Sequence, residues 1–173
     1  MVRHPTAVFH SSVQLARLLK TCSCVHLPIC SVDYNSGDGI TAEGEEEILL
    51  ALGLRHHVRQ IRLIFPVQNL RELVMPINEN FPILEYLVLQ LWVADSAALI
   101  LSETLQAQNL HHLMLRCFTC PIRPQLHPTA TGLTTLYLTV NHPFAYFQPN
   151  ILPQFISFMP QLKSLVILFT QGV

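Results

Sequence analysis

Leu84-Glu-Tyr-Leu87-Val-Leu89 is one of five copies of a single pattern, with apolar residues at positions one, four and six. The others are Val58-Arg-Gln-Ile61-Arg-Leu63, Leu110-His-His-Leu113-Met-Leu115, Leu133-Thr-Thr-Leu136-Tyr-Leu138 and Leu162-Lys-Ser-Leu165-Val-Ile167. The copies begin at positions 58, 84, 110, 133 and 162, so the steps between them are 26, 26, 23 and 29. Positions four and six share one strand face, so each copy reads as a strand buried on one side.

Self-similarity with this kernel and a period in the twenties is the mark of a leucine-rich repeat. One unit cannot bury its apolar face alone, so units stack. The expected fold is therefore an α/β leucine-rich-repeat solenoid. A curved parallel sheet would line its concave side, with helices and loops on the convex side. Strands are expected over 59–64, 85–90, 111–116, 134–139 and 163–168. Residues 1–173 read as a single such domain, and as a fragment lacking a C-terminal cap.

Between the kernels the pattern changes. Residues 25–32 read as a further strand, and Asp33-Tyr-Asn-Ser-Gly-Asp-Gly39 as a turn cluster. Thr41 can cap a helix over 41–52, whose early acids suit the positive end of the helix dipole. Ser11 or Ser12 can cap another over 11–20. Leu70, Leu73, Val74, Ile77 and Phe81 form a helical stripe interrupted by Pro76. Around 90–109 the pattern suits either a short helix capped at Asp95 or Ser96, or a strand at Leu99-Ile-Leu101. Residues 117–131 carry three prolines and read as loop. Residues 150–159 read as a helix with Leu152, Phe155, Ile156 and Met159 on one face.

Outward residues of the kernels fall into three columns. The first holds Gln60, Tyr86, His112, Thr135 and Ser164. The second holds Arg62, Val88, Met114, Tyr137 and Val166. The third holds Ile64, Gln90, Arg116, Thr139 and Leu168. Repeat proteins of this kind bind on the sheet face, and Tyr, Met and Arg are enriched at interfaces. Gln60, Arg62, Tyr86, Val88, His112, Met114, Arg116, Thr135, Tyr137, Ser164 and Val166 are the candidate contact residues for an unidentified protein.

Composition excludes more than it selects. Hydrophobic residues make up 50% of the 173, and charged residues 12%, about half the usual ~25%. Net charge is −1. Residues 1–103 hold 11 acids and 7 bases; residues 104–173 hold Arg116, Arg123 and Lys163 with no acid. Three dispersed bases form no basic stripe, so no nucleic-acid partner is expected. No apolar run reaches the ~18 residues of a membrane helix. Pro5 and His4 interrupt any secretory leader. Together these point to a cytoplasmic or nuclear chain with reduced thiols.

No catalytic, cofactor-binding or metal-ligating set emerges. Cys117-x-x-Cys120 and Cys22-x-Cys24 lie about 95 residues apart, and the second pair lacks zinc-ligand spacing. His56-His57 and His111-His112 are adjacent, so on a strand each pair would point to opposite faces. There is no glycine-rich phosphate loop and no nucleophile elbow.

With these residues laid out, the chain resembles the repeat region of F-box-like leucine-rich-repeat proteins of mushroom-forming fungi. The stretches that carry the resemblance are Ile40-Thr-Ala-Glu-Gly-Glu-Glu-Glu-Ile-Leu-Leu-Ala-Leu52, Val58 to Leu63, Asn80-Phe-Pro-Ile-Leu-Glu-Tyr-Leu-Val-Leu89, Leu105-Gln-Ala-Gln-Asn-Leu-His-His-Leu113, Ala145-Tyr-Phe-Gln-Pro-Asn150 and Met159-Pro-Gln-Leu-Lys-Ser-Leu165. The resemblance implies a module that selects a protein for ubiquitination within a multi-subunit ligase. Residues 1–20 are too short for an F-box, so docking to the ligase scaffold subunit is not expected. The alternatives are an enzyme with no recognisable motif and a truncated relic without function. The absence of a ligand set predicts no stoichiometric zinc in the purified protein. All five cysteines should react with a thiol reagent after unfolding without reductant; zinc that survives dialysis would contradict this.

Overall fold

The computed structural model describes residues 7–9, 30–35, 41–65, 73, 76–77, 79–91, 99–100, 105–116, 118–119, 131–140 and 151–169. The strands are β1 (Ala7–Phe9), β2 (Cys30–Asn35), β3 (Val58–Phe65), β4 (Tyr86–Leu91), β5 (Leu99–Ile100), β6 (His112–Arg116), β7 (Phe118–Thr119), β8 (Thr135–Val140) and β9 (Ser164–Phe169). Two helices are described over their length, α1 (Ala42–Gly53) and α2 (Ile151–Ser157). The chain is α/β. Seven strands form one sheet in the order β1-β2-β3-β4-β6-β8-β9, and β5 pairs with β7 in a separate two-stranded sheet. Every pairing in both sheets is parallel. Parallel neighbours need a long crossover connection, and a kernel spacing in the twenties supplies it.

The kernel leucines make the core. Leu84, Leu87, Leu89, Leu110, Leu113, Leu115, Leu133, Leu136 and Leu138 are all buried, as are Val58, Ile61 and Leu63. In the last copy, Leu162, Leu165 and Ile167 pack against this cluster but are only partly buried. Register explains the continuity. Leu87 pairs with Ile61 and with Leu113, and Leu136 with Leu113 and Leu165. Each leucine therefore lies beside its counterpart from the neighbouring unit.

A tight turn delivers the chain into three kernels. Leu84 N–H donates to the Phe81 carbonyl at 3.2 Å, Leu110 to Ala107 at 3.0 Å and Leu162 to Met159 at 3.0 Å. Pro82 and Pro160 sit at the second turn position, where the φ angle that the proline ring imposes is the one the turn needs. Phe81, Ala107 and Met159 are buried, so the turn also anchors the back of the unit. Asn109 Nδ2 donates to the Pro82 carbonyl at 2.6 Å and ties one turn to the next.

α1 forms as its sequence dictates. The Thr41 hydroxyl accepts from Gly44 N–H at 3.2 Å, and Glu43 and Glu45 lie in the first turn. Ile48, Ala51 and Leu52 are buried, while Leu49 and Leu50 are exposed. Leu73 and Ile77, from the interrupted stripe, are helical and fully buried; Pro76 between them is also helical.

The structure differs from the sequence expectations in several places. The later strands begin one residue further on, at Tyr86, His112, Thr135 and Ser164. The residues before three of them, Glu85, His111 and Thr134, turn their carbonyls to the next unit instead. Asp33, Tyr34 and Asn35 belong to β2 and not to a turn, because pairing with Arg62, Leu63 and Ile64 outweighs their local turn preference. Phe118 and Thr119 are strand and not loop, because they pair with Leu99 and Ile100. β1 is an additional strand. The expected helix at 11–20 lies outside the described residues, as does most of 117–131.

Leu87→Ala or Leu136→Ala should lower stability by about 2–5 kcal/mol in urea unfolding, the usual cost of a buried cavity. Gly132→Ala should cost about 1–3 kcal/mol by overpacking. Its Cβ would stand 3.2 Å from the Gln108 carbonyl and 3.5 Å from that of Leu110. The adjoining His111 carbonyl is held by Thr134 and Thr135, so this backbone has little room to retreat.

Candidate functional site

Strand alternation sends the residues between the core leucines to the opposite face of the sheet. Pairing then sets them side by side in rows that cross the strands. The first row is Ser31, Gln60, Tyr86, His112, Thr135 and Ser164. The second is Asp33, Arg62, Val88, Met114, Tyr137 and Val166. The third is Asn35, Ile64, Gln90, Arg116, Thr139 and Leu168. All eleven candidate contact residues thus lie on one face, in the first row, the second row and at Arg116 in the third.

They are not equally accessible. Gln60, Arg62, His112, Arg116 and Ser164 are exposed, and Tyr86, Met114, Thr135, Tyr137 and Val166 are half-buried. Val88 is only 3% exposed. It branches at Cβ and stops there, whereas its row neighbours Arg62 and Met114 reach well past it, so it supports the surface more than it offers contact. Ile64 and Thr139 in the third row are buried as well.

Chemistry changes along the rows. At the β2–β3 end, Arg62 meets Asp33 at 3.6 Å and the Ser31 hydroxyl donates to Gln60 Oε1 at 3.5 Å. In the middle, the Tyr86 and His112 rings lie 5.7 Å apart and tilted by 49°, within the range of attractive ring packing. Beyond them the second row turns apolar through Met114, Tyr137 and Val166, and Leu168 is exposed nearby in the third row. Sequence reading missed Asp33 and Asn35, because Asp-Tyr-Asn carries a turn signal that long-range pairing overrides, and it left Ser31, in the expected strand 25–32, out of the columns because that strand carries no kernel.

A second group of polar contacts runs along the edge where the strands begin. Arg55 pairs with Glu79, and Arg59 with Glu85 at 2.8 Å. The hydrogen bond and charge of Glu85 raise the Arg59 pKa. His111 Nδ1 lies 3.0 Å from the Gly132 carbonyl, and the Thr134 hydroxyl donates to the His111 carbonyl at 3.0 Å. A carbonyl only accepts, so the His111 proton sits on Nδ1. These contacts join successive units; they do not converge on a centre.

The two histidine pairs also diverge. His111 engages Gly132 while His112 engages Tyr86 on the sheet face. His56 and His57 lie in the turn before β3, where the strand argument does not apply. Among the described residues no three His, Cys, Asp or Glu side chains are grouped to hold a metal. Cys22, Cys24, Cys117 and Cys120 lie outside the described residues. No described helix is long and apolar enough to cross a membrane. Comparison with family models, curated proteins and solved structures finds no match.

The split between the paired histidines is testable. His111→Ala removes the Gly132 hydrogen bond and should lower stability by about 0.5–1.5 kcal/mol. His112→Ala, at an exposed site, should change stability by no more than about 0.5 kcal/mol. Thermal unfolding of both variants checks the order; a larger loss for His112→Ala would show that its ring contact with Tyr86 outweighs the Gly132 hydrogen bond.

Proposed function

We propose that the chain is a leucine-rich-repeat module whose parallel strands line the concave wall of a solenoid and bind another protein there. One observation carries this reading. Five kernel strands stand in register, so residues from units far apart in sequence form continuous rows on a single face. Such a surface offers area and row-by-row variety to a macromolecule. The residue types agree: Tyr86, Tyr137, Met114 and Arg116 are of the kinds that anchor interfaces.

A narrower reading, selection of a protein for ubiquitination in the cytoplasm or nucleus, is supported by the resemblance of the repeat stretches to F-box-like proteins. The broader reading does not depend on it.

The test is affinity capture from native extract with the wild-type chain and a Tyr86→Ala/Tyr137→Ala variant. Proteins held by the wild type should be lost from the variant, each substitution weakening binding by about 1–3 kcal/mol. Thermal melting should confirm that both chains fold. Equal capture by two folded chains would move binding off this face.

A further inference from the structure

The described residues include four arginines, and three of them meet carboxylates. Arg55 faces Glu79, Arg59 faces Glu85 at 2.8 Å, and Arg62 faces Asp33 at 3.6 Å. Arg116 is different. It is exposed on the outward face at the end of β6, and no ion pair among the described residues includes it. Its row neighbours are Gln90 and Thr139, both uncharged. The whole segment 104–173 contains no Asp or Glu and three bases.

Beside this guanidinium lies apolar surface. Met114 precedes it by two residues on the same strand, Tyr137 and Val166 continue the Met114 row, and Leu168 ends the Arg116 row at 42% exposure. A guanidinium presents a planar fork that matches a carboxylate in bidentate geometry. An apolar surround strengthens such a pair by lowering the local dielectric.

We infer that this face takes an extended polypeptide segment of another protein, with an Asp or Glu side chain on Arg116 and an apolar side chain on the Met114–Tyr137–Val166 row. The inference rests on the reading of the face as a protein-binding surface. Geometry sets the spacing. Two residues along β6 span about 6.6 Å, and an extended segment puts alternate side chains on one side at the same interval. A segment lying along β6 therefore carries its acid and its apolar residue two positions apart. A carboxylate suits the site better than a phosphate, since phosphate recognition draws on clusters of arginines. Arg116 has no basic neighbour in its row. Lys163, the other described base of this half, lies at the opposite end of the strands, just before the Ser164 that pairs with Thr135.

The test pans a phage-displayed random dodecapeptide library on the full 173-residue chain. Enriched peptides are then titrated against wild type, Arg116→Glu, Arg116→Gln and Tyr137→Ala, with thermal melting as the control for folding. Enrichment of Asp or Glu two positions from Leu, Ile, Phe or Tyr is expected. Affinity should fall at least about tenfold, roughly 1.4 kcal/mol, in both Arg116 variants. Arg116→Glu should regain binding to a peptide whose acid is replaced by Lys. If Tyr137→Ala weakens binding and the Arg116 variants do not, the face binds protein but the carboxylate assignment is wrong. If neither position matters, the assignment and the face both fail. Absence of enriched peptides, or much tighter binding when phosphoserine replaces the acid, also overturns the inference.

Discussion

One backbone oxygen per unit holds the later strands in step. The Glu85 carbonyl accepts from His111 and His112 N–H at 2.9 and 3.0 Å. The His111 carbonyl accepts from Thr134 and Thr135 at 2.9 and 3.0 Å, and the Thr134 carbonyl from Lys163 and Ser164 at 2.8 and 3.0 Å. Each junction thus meets the orphan donors at the entry to the next strand. A one-residue slip would break these bonds and send every kernel leucine to the opposite face.

This clamp separates two demands on the sequence. The intervals between successive kernels are unequal, yet the pairing from β4 to β9 runs without a shift in register. Variation in length falls in the connections between these strands, one of which holds β5, one β7 and one α2. The sheet face is left regular. Its exposed outward residues can change type without disturbing the core, because a strand residue contributes to one face only. The N-terminal strands β2 and β3 pair their charges internally through Asp33 and Arg62. The later strands β6, β8 and β9 keep an apolar centre through Met114, Tyr137 and Val166, with Arg116 beside it.

Much of this was legible in the chain. Alternating leucines identify the core, and the repeated kernel identifies which strands share a sheet. The facing of Tyr86, His112, Met114, Tyr137 and Arg116 follows from alternation alone. The Thr41 cap was equally plain, since a cap and its helix are neighbours in sequence. The two-residue pairing of β5 with β7 was not, because Phe118-Thr119 is too short to show a period against the prolines that follow it.

The sequence by itself determined which side chains point inward, because period-two alternation is a local property of the backbone. It determined the parallel order too, since equivalent kernels repeat at intervals long enough for a crossover. Only the tertiary structure decided the rest. Asp33 becomes a strand residue and the counter-ion of Arg62, a full unit further along the chain, through the β2–β3 register. Val88 is buried on an outward face, between Arg62 and Met114 of two other units. These outcomes depend on which residues lie side by side across strands, and such neighbours are set by hydrogen-bond register between distant segments, which no local pattern encodes.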